Sequence, residues 1–317
     1  MNEAGFASAA RDMQVRAAWL YYIEGLTQEE IARTMRISRA KVVRLLVAAR
    51  HEGVVRIEIG GRGGDLVSLE RALVARFGLA EAMVTPACAD ERDVAALVGH
   101  AAGTYLRSQL RDGLVLAAGW GATLTMAVPA LEGAAPVEGI AVVSLLGGMT
   151  HSRAVNPAAV ARRMADALHA ECYQLTAPLI VADEPTREAL WREPGLTELR
   201  ERARRADIAL VSVGDVSPQA TLFREAVLPG SYLDSLAAAA AVGDLLCTFL
   251  DAHGNAVDHP VNRRVMAVPL DDVRRIPSVV IASGGARKVG PLRAALQAVP
   301  ARVLVTDATA AAGLLER

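Results

Sequence analysis

Hydrophobic residues near the start of the chain recur at the spacing of an amphipathic helix. Val15, Trp19, Leu20 and Ile23 fall on one helical face, and the pattern ends at Gly25. Apolar residues at this spacing predict a helix that buries the shared face, and a glycine commonly follows the end of a helix. We therefore expect a first helix that contributes these four side chains to a small core.

A capping box predicts the start of a second helix directly afterwards. Thr27 and Glu30 form the pattern T-x-x-E, in which the Thr side chain accepts from the third backbone amide and the Glu side chain reaches back to the cap. Ile31, Ala32 and Met35 follow at helical spacing. They are the predicted buried face of this helix.

A third helix and a short alternating run complete the pattern of a winged helix-turn-helix. Ser38 can cap a helix that runs to about Arg50 and turns one apolar stripe toward the same small core. The stripe consists of Val42, Leu45 and Leu46. The run VVRIEI at 54–59 is typical of a strand or wing. Three helices followed by a wing indicate a DNA-binding module.

Charge is concentrated on this module, although the formal net charge of the whole chain is −1. Residues 33–50 contain six basic residues and no Asp or Glu, which places positive charge where a phosphate backbone would lie. Arg39 can read a guanine edge, whereas Lys41 and Arg50 are suited to phosphates. The predicted DNA-binding residues are Thr27, Ser38, Arg39, Lys41, Arg44 and Arg50. The alternatives are a protein-interaction module of the same shape or a basic face that is merely solvated.

A glycine-rich break, GGRGGD at 60–65, is the predicted linker between a DNA-binding domain at 1–60 and a larger domain at 61–317. In the larger domain, continuous Val/Ile/Leu runs alternate with alanine-rich helical segments. This alternation predicts an α/β fold with a doubly wound, mostly parallel sheet covered on both faces. The predicted strands are MVTP near 83 and the runs 114–119, 140–146, 173–181, 208–214, 279–285 and 302–306; the predicted helices include 91–111, 157–170, 288–298 and the alanine run 237–241.

Two glycine-rich loops follow predicted strands, at the edge where open α/β sheets bind ligands. In the first, Gly119 and Gly121 precede a predicted helix whose first amides, together with the hydroxyls of Thr123 and Thr125, can bind an anion. Leu124 stands where a dinucleotide-binding motif has its third glycine, and the usual ribose-binding acid is missing. A dinucleotide is therefore not expected.

The second loop contains Gly284, Gly285 and Lys288. The only lysines of the chain are Lys41 and Lys288, so a lysine in this loop stands out from an otherwise arginine-based composition. Lys288 can add a point charge to a phosphate held by backbone amides. The alternative is an ordinary surface lysine at a helix start.

An ordered set of motifs over nearly the whole chain resembles the SorC family of bacterial sugar-binding transcriptional regulators. The motifs are LTQEEIARTMRISRAKVVRLL, GWGAT, LLGGM, ADIALVSVG, AVGDLLCTFLDAHGN, IASGGARKVGPLRAAL and VLVTDATAA. The resemblance implies an effector domain built on the fold of ribose-5-phosphate isomerase and glucosamine-6-phosphate deaminase. It also implies a homo-oligomer, commonly a tetramer, that binds operator DNA and controls a carbohydrate operon in response to a sugar, polyol or sugar phosphate.

The resemblance implies an effector site, with a phosphate held by the GWGAT loop and Lys288 and the sugar bordered by the LLGGM glycines. The predicted effector-binding residues are Gly119, Gly121, Ala122, Thr123, Gly147, Gly148, Asp244, Gly284, Gly285 and Lys288. Asp244 is either a hydroxyl-binding acid or a carboxylate at a helix N-terminus, and Asn156 is either a hydroxyl ligand or a helix cap. Leu146 stands where several family branches place a polar or basic residue, which favours a monophosphate or a free polyol over a bisphosphate.

An enzyme on the same fold is the alternative function, because related folds isomerise or deaminate sugar phosphates. An isomerase needs a carboxylate base near its substrate, and the candidates are Asp215 and Asp244. His151 and His259 are expected to be solvated in loops. The attached DNA-binding module favours a regulator without catalysis, either a repressor or an activator.

The remaining composition points to a cytoplasmic protein that needs no cofactor or metal. Cys88, Cys172 and Cys247 are widely spaced and lack a CxxC pattern, which favours buried thiols over a disulfide framework or a zinc site. The N-terminal segment has no apolar stretch typical of a signal peptide, and no run reaches the length of a membrane span.

Overall fold

The computed structural model describes residues 3–52, 54–55, 63–135, 137–150 and 156–316. Contacts within the chain divide it into two compact units. The N-terminal unit spans residues 1–61 and the C-terminal unit spans residues 62–317.

The described part of the N-terminal unit contains three helices in the order that the sequence predicts. They are α1 (Glu3–Tyr22), α2 (Gln28–Met35) and α3 (Arg39–His51). The predicted capping box is confirmed, because the Glu30 amide donates to Thr27 Oγ1 over 3.3 Å and the Thr27 amide donates to Glu30 Oε2 over 2.8 Å. Arg36 ends α2 in the left-handed region with a φ of 52°. The turn into α3 is therefore tight.

The predicted buried face of α1 is mostly wrong. Val15, Trp19 and Ile23 are 48%, 57% and 65% exposed, and of the four predicted residues only Leu20 is buried. The core side of α1 consists instead of Ala17, Ala18, Leu20 and the mostly buried Gln14. Small side chains allow α1 to approach the other helices closely. Close packing therefore decides which face of α1 is buried, and the position of its largest apolar residues does not.

The predicted wing and linker fall partly outside the described residues. Val54 and Val55 are half-buried against the small core, whereas residues 56–62 lie outside the described ranges. The linker prediction is wrong for residues 63–65, which begin the helix α4 (Gly63–Phe77). Asp65 lies in the first turn of this helix, where a carboxylate interacts favourably with the helix dipole.

The described strands of the C-terminal unit are β1 (Glu81–Thr85), β2 (Val115–Ala118), β3 (Ala141–Gly148), β4 (Glu171–Pro178), β5 (Ile208–Val211), β6 (Val213–Asp215), β7 (Gly243–Leu245), β8 (Thr248–Leu250), β9 (Ser278–Ala282) and β10 (Ala301–Asp307). Those of the large sheet follow the predicted runs closely. Among the described residues, seven strands form one sheet in the order β1-β10-β9-β5-β2-β3-β4. All neighbouring pairs in this sheet are parallel.

Helices connect these strands and cover the sheet. They are α5 (Glu91–Gln109), α6 (Ala122–Leu131), α7 (Pro157–Leu168), α8 (Glu184–Trp191), α9 (Pro194–Arg204), α10 (Thr221–Arg224), α11 (Tyr232–Ala238), α12 (Leu270–Val273), α13 (Val289–Ala298) and α14 (Ala308–Leu315), with 3₁₀ turns at Pro260–Arg263 and Ala286–Lys288. Every residue of β5 is buried. Because successive strand residues point to opposite faces, the sheet is covered on both sides, as predicted.

A small antiparallel sheet, β6-β7-β8, was not predicted. The predicted strand 208–214 is interrupted at Ser212, where the chain leaves the large sheet so that β6 can pair with β7. The turn between β7 and β8 consists of Leu246 and Cys247, both with positive φ of 52° and 60°. Two-residue hairpin turns usually carry Gly or Asn at such positions, so the sequence contains no turn signal here.

Candidate functional site

A cavity of about 180 Å³ opens at the carboxyl ends of the central strands of the large sheet. Its wall combines the loop after β2, the β6 segment that follows β5, and the loop after β9. Asp244 of β7 and the segment Gln219–Arg224 close further sides. This is the edge at which the sequence predicts a ligand.

The cavity brings together most of the residues predicted to bind the effector. The predicted residues that line it are Gly121, Ala122, Thr123, Asp244, Gly284 and Lys288. They come from two loops that are distant in the sequence, the loop after β2 and the loop after β9, and from strand β7. The remaining predicted residues, Gly119, Gly147, Gly148 and Gly285, are not part of the cavity wall.

The loop after β2 presents the start of α6 to the cavity. Gly121 is the N-cap with a φ of 125° and offers no side-chain cap to the helix, so the first backbone amides of α6 have no side-chain acceptor from this residue. Thr123 is mostly buried and lines the cavity. Thr125 differs from the expectation, because its Oγ1 donates to the Gly121 carbonyl over 3.0 Å.

An ion pair joins the second loop to β6. Lys288 Nζ lies 2.7 Å from Asp215 Oδ2, and Ser217 donates a hydrogen bond to the other carboxylate oxygen of Asp215. Burial by itself would raise the pKa of Asp215, but the Lys288 ammonium and these hydrogen bonds lower it below its ordinary value. Lys288 therefore belongs to an organised polar cluster inside the cavity and is not a free surface lysine.

Asp244 is a buried carboxylate on the same side of the cavity. Its side chain is almost completely enclosed, with 6% of the residue exposed, and Oδ2 accepts a hydrogen bond from the Cys247 amide over 2.9 Å. Burial raises the pKa of Asp244 to about 6. The alternative of a helix N-terminal carboxylate is wrong, because Asp244 lies in β7. Gly214 has to be a glycine here, since a Cβ atom at this position would overlap Asp244 Oδ1.

Several residues of the cavity wall were missed by sequence reasoning. Arg92, Arg224 and Arg287 add three guanidinium groups from three different elements, and Trp120 and Thr221 also line the cavity. Arg92 and Arg224 lie beside Asp90 and Glu225 in ion pairs. Neither α5 nor α10 carries a sequence motif that predicts a ligand site. Only the tertiary structure places these arginines around one opening.

Two of the four predicted glycines outside the cavity wall are explained by packing. A Cβ atom at Gly119 would lie 3.1 Å from the Leu210 carbonyl oxygen of β5, and one at Gly147 would lie 2.5 Å from the Ala177 carbonyl oxygen of β4. Gly148 lies near the start of α7. Gly285 has a φ of 95° and donates its amide hydrogen to Asp307. Gly119 and Gly147 therefore allow close approach of neighbouring backbone, whereas at Gly285 the positive φ favours glycine.

Three further residues considered in the sequence analysis have structural roles. Asn156 caps α7, because Oδ1 accepts from the Ala158 amide over 3.2 Å and Nδ2 donates to the Met149 carbonyl over 2.7 Å. Leu146 is completely buried. The expectation of a solvated His259 is wrong.

His259 is buried and hydrogen-bonded. Its Nδ1 accepts from the Val261 amide over 3.2 Å and its Nε2 lies 3.0 Å from Ser235 Oγ. Burial lowers the pKa of His259 below its ordinary value. With Nδ1 accepting a backbone amide, the proton of the neutral ring is on Nε2. His151 lies outside the described residues.

In the N-terminal unit, α3 exposes the predicted basic face. Arg39, Ala40, Val43 and Arg44 are exposed, and Lys41 is half-buried. The opposite stripe is turned inward as predicted, since Val42 and Leu46 are buried and Leu45 is half-buried. Ser38 Oγ accepts from the Lys41 amide over 3.2 Å, which makes Ser38 a cap of α3. Arg50 lies in α3, and its side chain is outside the described part.

Within the described ranges, three further features bear on function. No group of three or more His, Cys, Asp or Glu side chains is arranged to hold a metal ion. No helix in these ranges is long and apolar enough to cross a membrane. Cys88, Cys172 and Cys247 are free thiols.

A helix-turn-helix unit joined to a parallel-sheet domain with a polar cavity defines a ligand-responsive regulator of transcription. Residues 62–316 match the family model Sugar-bind, described as "Putative sugar-binding domain". The chain belongs to this family, and similar proteins and structures are named as regulators of transcription, of erythritol catabolism and of the sorbitol operon. The predictions of family and fold class are confirmed.

Relatives match over almost the whole chain. Transcriptional regulator LsrR of Klebsiella pneumoniae is 32% identical over 315 residues, which cover 98% of this chain and 95% of the relative. The erythritol catabolism regulatory protein EryD of Brucella abortus is 29% identical over 311 residues and 98% of both chains. The crystal structure of the full-length sorbitol operon regulator SorC from Klebsiella pneumoniae has a TM-score of 0.73 at 24% identity, covering 97% of this chain and 100% of that one. The protein is therefore a transcriptional regulator with a sugar-binding domain.

Proposed function

We propose that this regulator binds a sugar, a polyol or a sugar monophosphate in the cavity, and that the ligand changes its affinity for operator DNA. The observation that carries the proposal is the convergence of Asp244, the Asp215–Lys288 pair and the start of α6 on one enclosed space. Carboxylates accept hydrogen bonds from hydroxyl groups, and helix-start amides bind anions. A polyhydroxylated compound matches this combination.

Each part of the cavity has a role in the proposal. Asp244 accepts hydrogen bonds from hydroxyl groups of the ligand. The amides of Ala122 and Thr123, at the start of α6, bind the phosphate of a phosphorylated ligand. Lys288 adds positive charge to this side of the cavity, and a phosphate would compete with Asp215 for its ammonium group. A free polyol would use the hydroxyl contacts alone.

The exposed face of α3 is the proposed surface for operator DNA. Arg39 lies at the N-terminal end of the helix, the end that enters the major groove in helix-turn-helix proteins. Arg44 is exposed one turn further along, and Lys41 lies beside this face. Thr27 and Ser38 cap α2 and α3, so they act by fixing the two helix starts near the phosphate backbone.

The proposal includes no catalysis and no cofactor. Of the two carboxylates that could serve an isomerase, Asp215 pairs with Lys288, which lowers the pKa of Asp215 and makes it a weaker base. A general base has to reach a substrate proton directly or through a single water. The similarity to transcriptional regulators over nearly the whole chain also favours regulation over catalysis.

A cytoplasmic homotetramer is the proposed form of the protein. The family resemblance implies this assembly, and two helix-turn-helix units per operator are the usual way to match a palindromic site. Sedimentation equilibrium of the full chain gives the mass of the assembly directly. A monomer at all concentrations would contradict this part of the proposal.

The first experiment measures binding of the full chain to labelled DNA from upstream of its own gene by fluorescence anisotropy. Erythritol, sorbitol and their monophosphates are titrated in pairs, because regulators similar to this chain are named for erythritol catabolism and the sorbitol operon. We expect one compound to change the DNA affinity by a factor of about 5–150, the usual range of coupling between two sites. A chain that does not bind DNA would contradict the proposal.

A variant at Lys288 tests the assignment of the cavity. Lys288→Ala should abolish the response to a phosphorylated compound and leave DNA binding without ligand unchanged. Arg192→Ala is the matched control, because Arg192 is an exposed cation that pairs with Glu188 on α8. A response to the free compound alone, or an unchanged response in Lys288→Ala, would remove the phosphate from this site.

A further inference from the structure

Asp307 is a buried carboxylate that neither the proposed function nor the cavity wall uses. It ends β10 and is completely inaccessible to solvent. A charged group in such a position needs hydrogen-bond donors around it. Three backbone amides supply them, from Gly285, Thr309 and Ala310.

The three hydrogen bonds serve two different elements. Two of them come from the start of α14, where the amides of Thr309 and Ala310 donate over 3.1 and 3.3 Å, so that Asp307 is the N-cap of this helix. The shortest comes from Gly285, whose amide donates to Oδ1 over 2.7 Å from the loop after β9. A helix N-cap accepts hydrogen bonds from the first amides of its own helix, so capping α14 does not require the hydrogen bond from Gly285.

The two glycines of the loop permit this contact. A Cβ atom at Gly284 would lie 2.7 Å from Asp307 Oδ1 and 2.9 Å from Val94 Cγ1, so no larger residue fits between them. Gly285 has a φ of 95°, a conformation that other residues rarely adopt. The loop is therefore shaped around the carboxylate.

The loop fixed in this way leads directly to Lys288. The Gly285 carbonyl accepts from the Lys288 amide over 3.0 Å, which closes the 3₁₀ turn at Ala286–Lys288. From this turn Lys288 Nζ reaches Asp215 Oδ2 at 2.7 Å. Three hydrogen bonds, joined through Gly285 and Lys288 themselves, thus connect Asp307 to the polar cluster of the cavity.

We propose that Asp307 is a positioning residue of the effector site, which holds the Gly284–Gly285 segment through the Gly285 amide and thereby sets Lys288 in the cavity. The inference rests on the proposed function for its effect on ligand binding. The placement of Lys288 itself does not depend on the identity of the ligand. Residues that orient a binding group from behind contribute substantially to affinity without touching the ligand.

The variant Asp307→Ser separates this role from helix capping. Serine is as good an N-cap as aspartate, so the start of α14 keeps its acceptor. The serine side chain is shorter and leaves the Gly285 amide without its partner. Asp183→Ser is the matched control, because Asp183 caps α8 through the Thr186 amide over 2.9 Å and does not line the cavity.

The first measurement follows the reactivity of the two lysines without any ligand. The full-length proteins are labelled with acetic anhydride and analysed by mass spectrometry, with Lys41 as the internal reference. In Asp307→Ser we expect Lys288 to react at least about tenfold faster, because a hydrogen bond to a charged acceptor shifts a local opening equilibrium by this order. Hydrogen exchange should also rise in residues 283–288 and stay unchanged in 308–315. Lys288 should keep its wild-type reactivity in Asp183→Ser.

The second measurement repeats the anisotropy titration with erythritol monophosphate and sorbitol monophosphate. Where the wild type responds, the concentration for half-maximal response should rise about tenfold or more in Asp307→Ser and stay unchanged in Asp183→Ser. Unchanged Lys288 reactivity in Asp307→Ser would overturn the inference. If wild-type protein responds to neither compound, the phosphate assignment of the proposed function fails, and the lysine reactivity still decides the role of Asp307. If Asp307→Ser does not fold, hydrogen exchange of the Gly285 amide in the wild type tests the inference. A Gly285 amide that is not protected from exchange would overturn it.

Discussion

Two carboxylates that line the cavity differ in pKa because their surroundings differ. Asp215 keeps its charge through Lys288 and Ser217, and its pKa lies below the ordinary value. Asp244 has a backbone amide as its hydrogen-bond partner and is almost completely buried, so its pKa rises to about 6. Asp244 therefore titrates closer to neutral pH than Asp215 does.

Asp244→Asn should change how stability depends on pH. In the folded wild type the pKa of Asp244 is raised from 3.8 to about 6, so between these values the folded state holds a proton that the unfolded chain has released. The resulting stabilisation is complete below about pH 4 and is lost as pH rises through 6, by roughly 3 kcal/mol. The free energy of unfolding of the variant minus that of the wild type should therefore increase from pH 4 to pH 8. Urea denaturation at several pH values measures this difference.

Asp215→Asn is the contrasting variant for the same measurement. The pKa of Asp215 is lowered, so in the wild type its contribution is present above the unfolded-state pKa and is lost as pH falls. Its removal should therefore destabilise the protein more at neutral pH than in acid.

The free energies of unfolding of wild type and Asp244→Asn would contradict the raised pKa of Asp244 if they differed by the same amount at every pH.

Glycines show what a sequence leaves undecided at the scale of the residue. Gly121 and Gly119 belong to the same motif, yet Gly121 lines the cavity and Gly119 packs against β5. A missing Cβ serves a ligand or a neighbouring backbone equally well. The sequence predicted that close approach occurs in this loop, and only the tertiary structure shows what approaches.

At the scale of the element, α3 divides its residues between core and solvent as its periodicity predicts. Val42 and Leu46 are buried, while Arg39 and Arg44 are exposed. The helix carries no acidic residue in its first turn, so its N-terminal end presents positive charge from both the dipole and the side chains. This element has the chemistry to approach a phosphate backbone.

Two variants of α3 should affect DNA binding differently. Arg39→Ala should relax the preference for one base, at a cost of about 1–3 kcal/mol on the preferred sequence, because a guanine contact is lost. Lys41→Ala should weaken binding to all sequences and reduce the slope of log affinity against log salt by about one. Anisotropy with operator and mutated operator at several salt concentrations measures both effects. Equal losses on every sequence in Arg39→Ala would show that Arg39 reads no base, and Arg192→Ala should bind as wild type does.

The β6-β7-β8 sheet shows the limit of local patterns at this scale. Its strands are three residues long, too short to show a period, and its turn at Leu246–Cys247 lacks the usual turn residues. The long strands of the main sheet were predicted because buried parallel strands are continuous apolar runs. The small sheet depends on pairing partners that are distant in sequence.

At the scale of the whole molecule, regulation requires the two units to influence each other. The proposed ligand binds the C-terminal unit and the operator binds the N-terminal unit. A ligand shifts DNA affinity only by the difference in its own affinity for the DNA-bound and free forms. The coupling is therefore a single free energy that both binding reactions share.

This coupling predicts reciprocal titrations. The factor by which a saturating ligand changes the Kd for operator DNA should equal the factor by which saturating DNA changes the Kd for the ligand. Anisotropy gives the first factor, and isothermal titration calorimetry with and without unlabelled operator gives the second. Scrambled DNA of the same length should leave the affinity for the ligand unchanged. Unequal factors would show that the two reactions are not the only linked equilibria.

The amino-acid sequence by itself determined the helix-turn-helix, the parallel sheet and the family, because caps, apolar periods and motif order are local or ordered along the chain. The tertiary structure decided which residues meet. It turned Val15 and Trp19 of α1, and Ile23 just after it, outward. It placed Arg92, Arg224 and Arg287 around one cavity and brought Asp307 into contact with the Gly285 amide. The physical reason is that packing and hydrogen bonding between distant segments depend on distances in space. The hydrophobic period of a single segment contains no information about those distances.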